Sequence, residues 1–199
     1  MGTNTGRRKG KRVKFLHLSK VYDGTYLKNY ELTYHNKEGE EKKYEMVSRR
    51  EIKDEKDLGK HTSGVSIVAI KEDKMILLKE FRMAVNKKIY NLVAGMLEEG
   101  ETIEQCIERE LYEETGLHVV SIIDILPPSF SAVAISDVKT NIVFAKVDGE
   151  ISDHTSNNEE IEAAFYHREQ LKVLLQTEPF SSRAQMAAYL FLHSHWLDE

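Results

Sequence analysis

Residues 65–70, Val-Ser-Ile-Val-Ala-Ile, and 75–81, Met-Ile-Leu-Leu-Lys-Glu-Phe, flank a polar turn at Glu72-Asp73 and constrain this 199-residue chain more than any other feature. Two nearly continuous apolar strands joined by a tight turn read as a hairpin covered on both faces. Such a hairpin belongs inside a sheet that other layers cover. Residues 119–126, 141–147 and 163–166 read as further strands, while 167–176 and 182–196 carry helical patterns. Strands mixed with a few helices, without regular βαβ alternation, predict an α+β fold of the α/β/α sandwich kind. With 41% hydrophobic and 31% charged residues, the chain can bury one substantial core and carry a small appendage.

The appendage is expected upstream. Tyr30-Glu31-Leu32-Thr33-Tyr34 and Lys43-Tyr44-Glu45-Met46-Val47 alternate like strands across a polar turn at residues 35–39. This small antiparallel sheet has too few large aliphatics to form a core alone, so it should pack on the rest of the chain or on a second subunit. A charged connector over residues 51–60 places the division at 1–58 and 59–199. Tyr22, Tyr26 and Tyr30 either pack there or stack on a base. The basic cluster Arg7, Arg8, Lys9, Lys11 and Arg12 reads as a solvated tail, and a net charge of -5 makes nucleic acid an unexpected partner. No apolar run approaches the roughly 20 residues that span a bilayer. No secretory pattern follows the basic start, and the single cysteine, Cys106, fits a reducing compartment. A cytoplasmic location without membrane attachment is therefore expected.

Chemistry concentrates in one helix, predicted over residues 102–115. Thr102 and Gln105 form a capping-box pattern, and Gly116 stands where a left-handed cap would end the helix. At about 100° per residue, Ile103, Cys106, Ile107 and Leu111 form an apolar stripe facing the core. Glu110 and Glu114 project within about 20° of Ile103, Glu113 lies on the flank, and Glu104 and Glu108 point to water. The inward stripe therefore turns acidic in its last two turns. Like charges at i, i+3 and i+4, at the end where the helix dipole disfavours them, are costly unless a cation compensates. Oxygen-only ligands favour Mg²⁺ or Mn²⁺ over zinc.

Gly95, Glu101, Arg109, Glu110, Leu111, Glu113, Glu114, Gly116 and Leu117 together resemble the Nudix box, every fixed position of which is filled here across 23 residues. The resemblance implies a Nudix α/β/α sandwich with a mixed sheet and the box as loop-helix-loop. It assigns metal binding to Glu110 and Glu114, with Glu113 adjoining and the backbone carbonyl of Ala94 or Gly95 as a further ligand. Arg109 is expected to project away from the site, and the resemblance implies that it braces an acid, a role that Glu101, also a substrate-side candidate, fits. The reaction implied is hydrolysis of a nucleotide-linked diphosphate, with a carboxylate taking the proton from the attacking water.

Lys79-Glu80-Phe81-Arg82 followed by Ile89-Tyr90-Asn91-Leu92-Val93-Ala94-Gly95 resembles the ADP-ribose pyrophosphatase branch. The branch implies phosphate binding by Arg82, a small N-terminal β domain that helps form a homodimer, and a catalytic or metal-binding acid from a late loop. Residues 157–162 supply that loop, with Glu160 preferred and Glu159 second. Val93 stands where the branch has Pro, and residues 127–131 resemble its next loop only loosely; both departures bear on the substrate. The leading expectation is Mg²⁺-dependent cleavage of ADP-ribose or a related nucleoside diphosphate sugar to a nucleoside monophosphate and a sugar phosphate. The alternatives are a dinucleotide or noncanonical nucleoside triphosphate as substrate, and a non-catalytic module that senses ADP-ribose.

Overall fold

The computed structural model describes residues 12–152, 154 and 159–193. The chain forms two compact units. One comprises the residues up to His61 together with Phe130–Lys139, and the other Thr62–Ser129 with the chain from Thr140 onward.

The first unit is a three-stranded antiparallel sheet in chain order, β1 (Lys14–Asp23), β2 (Lys28–His35) and β3 (Glu41–Ser48). Its core is Tyr30, Leu32, Met46 and Ile52, with Phe15, Leu18, Tyr34 and Leu58 packed around them. The small core that its strands alone could not supply is thus completed by Ile52 and Leu58 from the charged connector. Tyr30 is buried, its hydroxyl accepting a 2.8 Å bond from the Ile52 N–H, whereas Tyr22 and Tyr26 stand exposed. The Phe130–Lys139 segment joins this unit through Val47 N–H bonding the Ile135 carbonyl at 2.9 Å and Tyr44 Oη bonding the Ala134 carbonyl.

The second unit carries β4 (Thr62–Lys71), β5 (Lys74–Arg82), β6 (Lys87–Asn91), β7 (Val93–Met96) and helix α1 (Ile103–Thr115). After them come β8 (His118–Ile125), the two-residue β9 (Ser129–Phe130) where the chain crosses between units, β10 (Lys139–Asp148) and β11 (Ile161–His167). Helices α2 (Arg168–Thr177) and α3 (Ser182–His193) follow, and the predicted extension of the last helix to residue 196 lies outside the described residues. The mixed sheet runs β11-β5-β4-β10-β8, with β6 beside β5 and β7 beside β4.

Alternation along the hairpin explains the layers. Val65, Ile67 and Ala69 of β4 and Ile76 and Leu78 of β5 face one way, against Cys106, Ile107 and Leu111 of α1. Val68, Ile70, Met75 and Leu77 face the other way, against Leu171 of α2 and Ala184, Ala188 and Phe191 of α3. Each large side chain buried so stabilises the fold by roughly 1.5–3 kcal/mol, which is why neither face of the hairpin can be polar. The turn between the strands is made by Glu72 in the left-handed region, φ 55°.

Candidate active site

Helix α1 is built as its sequence implies. Thr102 Oγ1 accepts from the Gln105 N–H at 3.2 Å, Gln105 Oε1 accepts from the Thr102 N–H at 2.9 Å, and Gly116 closes the helix at φ 73°. Cys106, Ile107 and Leu111 are fully buried, while Glu104 and Glu108 are exposed. Anchoring that stripe carries Glu110 and Glu114 inward, against β7.

Glu114 Oε2 accepts a 3.0 Å bond from the Ala94 N–H. The contact of Ala94 with the acidic face is thus made by its N–H. Burial pushes the Glu114 carboxyl well above its ordinary range; the Ala94 bond opposes this, and the charges of Glu110, Glu80 and Glu159 add to it. Glu110 lies directly over Gly95. A Cβ at position 95 would stand 1.7 Å from the Glu110 carboxyl carbon, so only glycine leaves the carboxylate its place. Burial raises the Glu110 pKa as well, against the pull of Arg109.

Arg109 organises the rim. Its Nε and Nη2 donate to the two Glu101 oxygens at 2.8 and 2.9 Å, and Nη2 also to the Met96 carbonyl at 3.0 Å. Its Nη1 donates to Glu110 at 2.8 Å and to Glu113 at 3.2 Å. All five guanidinium N–H groups are used. The expected brace to Glu101 is present, but Arg109 does not project away from the acids: the side chain is long enough to curl back onto Glu110. Glu101 also accepts from the Glu98 N–H at 2.9 Å, and these bonds, Arg109's first, hold its carboxyl down to about 2. With both oxygens so engaged, Glu101 is a brace in this structure. Glu113 is half exposed at the flank.

The other candidates divide. Glu160 is exposed and paired with Lys88 at 2.8 Å, whereas Glu159 of the same loop is the acid whose charge reaches Glu114. Residues 157 and 158 of that loop lie outside the described residues. Arg82, exposed at the end of β5, donates to Glu80 at 3.4 Å. Glu80 is the acid that sequence reading passed over. It is 4% exposed, and its carboxylate accepts from Asn91 Nδ2 at 2.6 Å, with Asn91 Oδ1 accepting in turn from the Ser181 hydroxyl at 2.6 Å. The signal was available, because Ile76, Leu78 and Glu80 alternate onto the α1 side of β5.

Among the described residues no three His, Cys, Asp or Glu side chains converge as a ready cation cage. Glu110 is drawn to Arg109 and Glu114 to the Ala94 N–H. The donor set nevertheless fits a hard divalent cation: carboxylates only, partly buried, with further negative charge close by.

Comparison with known proteins agrees with this fold. A solved structure of an ADP compounds hydrolase superposes over 94% of this chain and 95% of its own at a TM-score of 0.71, with 22% sequence identity. The ADP-ribose pyrophosphatase of Bacillus subtilis is 39% identical over 71 residues, 35% of each chain. The NAD-capped RNA hydrolase NudC of Vibrio parahaemolyticus is 46% identical over 56 residues, 28% of this chain and 21% of that protein. The matched stretch thus spans between a fifth and about a third of these curated relatives. The NUDIX domain family model matches residues 60–189, well over half the chain and the whole acidic helix with its flanking strands, and on that match the chain belongs to the Nudix family.

Proposed function

We propose that this chain is a divalent-metal-dependent Nudix pyrophosphatase that cleaves the diphosphate of ADP-ribose or a related nucleoside diphosphate sugar, giving a nucleoside monophosphate and a sugar phosphate. The observation that carries the reading is the seating of Glu110 and Glu114 against the Ala94–Gly95 backbone, with Arg109 holding Glu110 from the rim. Glu110 and Glu114 would hold Mg²⁺ or Mn²⁺, with the carbonyl of Ala94 or Gly95 completing the donor set. Such an ion, when bound, neutralises diphosphate oxygens and lowers the pKa of a coordinated water.

The chain's own residues do the rest. Arg82 binds and orients a phosphate. Glu113, Glu160 and its neighbour Glu159 are the acids available to take the water's proton. Arg109 and Glu101 keep the Glu110 carboxylate from turning away. The similarity to an ADP-ribose pyrophosphatase supports the nucleoside diphosphate sugar, and the similarity to the NAD-capped RNA hydrolases supports a dinucleotide diphosphate as the second reading. The exposed Val21, Tyr22 and Tyr26 of the N-terminal sheet support a homodimer, which light scattering would weigh directly.

The test is incubation with Mg²⁺ and a panel of ADP-ribose, other nucleoside diphosphate sugars, NAD and an NAD-capped RNA, with released mononucleotide measured by mass spectrometry. ADP-ribose turning over fastest is the expected result. Preference for NAD would move the assignment to the second reading, and no turnover of any compound would end both.

A further inference from the structure

Lys88 of β6 pairs with Phe81 of β5. Its ammonium reaches across β5 to β11, where it bonds Glu160 at 2.8 Å and Glu162 at 2.5 Å. All three side chains belong to one face of the sheet. Glu162 pairs with Lys79, and the Glu160 carbonyl accepts from the Phe81 N–H at 2.9 Å. Lys79 and Phe81 alternate with Met75 and Leu77 onto the α2–α3 side. The opposite face of β11 carries Ile161, Ala163 and Phe165, which pack with the α1 core. Glu159 continues that second series. Ile161 pairs with Glu80, so the ladder brings position 159 level with Arg82, on the α1 side. The neighbouring acids are thus divided: Glu160 lies with Lys88, and Glu159 faces the side of the sheet that carries Glu80, Glu110 and Glu114.

We propose that Lys88 is a positioning residue for the reaction: by holding Glu160 and Glu162 on the α2–α3 face it fixes the leading end of β11 and presents Glu159, level with Arg82, as the loop acid of the diphosphate site. β11 ends the strand order of its sheet and pairs with β5 alone. Ile161, Ala163 and Phe165 fix the register of its body, but nothing apolar pins the residues ahead of Ile161. A turn of one residue there would exchange the directions of Glu159 and Glu160. The ammonium opposes that turn, because two carboxylates at i and i+2 share a strand face and repel unless a cation lies between them. All three partners are largely exposed, where ion pairs add little to stability. Their consequence is therefore orientation.

This role rests on the pyrophosphatase reading, and the test separates the two. Steady-state kinetics with ADP-ribose in Mg²⁺ would be paired with Mn²⁺ binding, followed by the paramagnetic resonance of the free ion. The proteins are wild type, Lys88→Met, Lys88→Arg, Glu159→Gln, Glu160→Gln and the double variant Lys88→Met with Glu159→Gln. Two exposed ion pairs bias an orientation by about three- to tenfold, so Lys88→Met is expected to lower kcat by that factor and leave KM within about twofold. Lys88→Arg should recover most of the loss. Glu159→Gln should cost about a hundredfold or more, the worth of a positioned acid or base, and Glu160→Gln about as little as Lys88→Met. In the Glu159→Gln background Lys88→Met should cost nothing further, whereas a merely structural lysine would cost the same factor in both. Mn²⁺ adds a sign: losing a cation alone would tighten metal binding, but turning Glu159 away weakens it, so Lys88→Met is expected to weaken Mn²⁺ about twofold or more.

Wild-type kcat and Mn²⁺ affinity in Lys88→Met would overturn the positioning role, as would an equal loss with and without Glu159. A larger loss from Glu160→Gln than from Glu159→Gln also overturns it. If Lys88→Met fails to fold, Lys88→Gln carries the same comparisons. A wild type that hydrolyses nothing, yet binds Mn²⁺ less tightly in Lys88→Met and no less tightly still in the double variant, upholds the role of Lys88 and ends the enzymatic reading. Turnover lost on Glu114→Gln but indifferent to Lys88→Met does the reverse, and a wild type that neither hydrolyses nor binds Mn²⁺ ends both.

Discussion

Replacing Gly95 with alanine is the sharpest probe of the site, because a single methyl group would enter the space that the Glu110 carboxylate fills. The added Cβ would stand 1.7 Å from both Cδ and Oε1 of Glu110 and 2.1 Å from Oε2. Ordinary contact begins near 3.4 Å, so the carboxylate must retreat by at least about 1.7 Å. A retreat that large breaks the 2.8 Å bond to Arg109 and moves the oxygen proposed as a metal ligand well beyond the tolerance of a metal site. Misplacing a reacting group by about 1 Å costs roughly a hundredfold in rate, so kcat should fall by at least about that factor.

The fold should not suffer in proportion. Gly95 lies in a strand outside the left-handed region, and alanine there restricts the unfolded chain, a gain of about 0.4–1 kcal/mol against whatever the shifted side chain costs. The assay is mononucleotide release under saturating Mg²⁺, paired with thermal unfolding. Adding Glu110→Asp, which withdraws the carboxylate by roughly one bond of 1.5 Å, should restore part of the lost activity. A Gly95→Ala protein with wild-type Tm and kcat within about threefold of normal would refute the idea that this contact sets the position of Glu110.

Four further outcomes follow from the same structure. Glu114→Gln should abolish turnover yet stabilise the chelated protein at neutral pH. The folded pKa of Glu114 lies above its unfolded value, so its charge opposes folding, and wild type should gain stability as pH falls through that raised pKa toward the ordinary carboxylate range. Melting curves across pH check this, and a Gln variant with the wild-type pH slope refutes it. Arg109→Lys should cost about ten- to a hundredfold in kcat, because an ammonium has three donors for a site that uses five; wild-type kinetics in this variant would refute that. Stability from Glu101, whose pKa is depressed, should be present above about 4.5 and be lost as pH falls toward about 2, a loss absent from Glu101→Gln. Cys106, buried and with its thiol pushed up to about 12, should resist thiol reagents until the protein unfolds, which a colorimetric time course would show.

Much of this architecture was legible in residue order. The hairpin flanking Glu72-Asp73 announced two covering layers, and the structure supplies α1 on one side and α2 with α3 on the other. The caps of α1 were legible to the residue, since Thr102, Gln105 and Gly116 act locally and need no tertiary partner. Strands β6 and β7 were not recognised as strands, because only five and four residues separate the turns around them and pairing with β5 and β4 defines them. Nor does any local pattern send Phe130–Lys139 to the N-terminal sheet; Val47 and Tyr44 hold it there through backbone carbonyls, which carry no sequence signature.

The site shows the same division between periodicity and reach. Helical periodicity placed Glu110 and Glu114 inward and Glu104 and Glu108 outward, and burial agrees for all four. Periodicity locates a Cα–Cβ vector, however, and a guanidinium extends several bonds beyond it. That is why the direction expected for Arg109 differs from the bonds it makes to Glu110 and Glu113. The same gap separates Glu160 from Glu159: adjacent residues in extended chain point opposite ways, so one pairs with Lys88 while the charge of the other reaches Glu114. Glu80 required a two-step inference, first that β5 is covered on both faces, then that an acid in register with Ile76 and Leu78 lies beneath α1. A buried acid in that register has to be partnered, and its partner is Asn91, which accepts in turn from Ser181 and so ties the start of α3 to the same acidic corner.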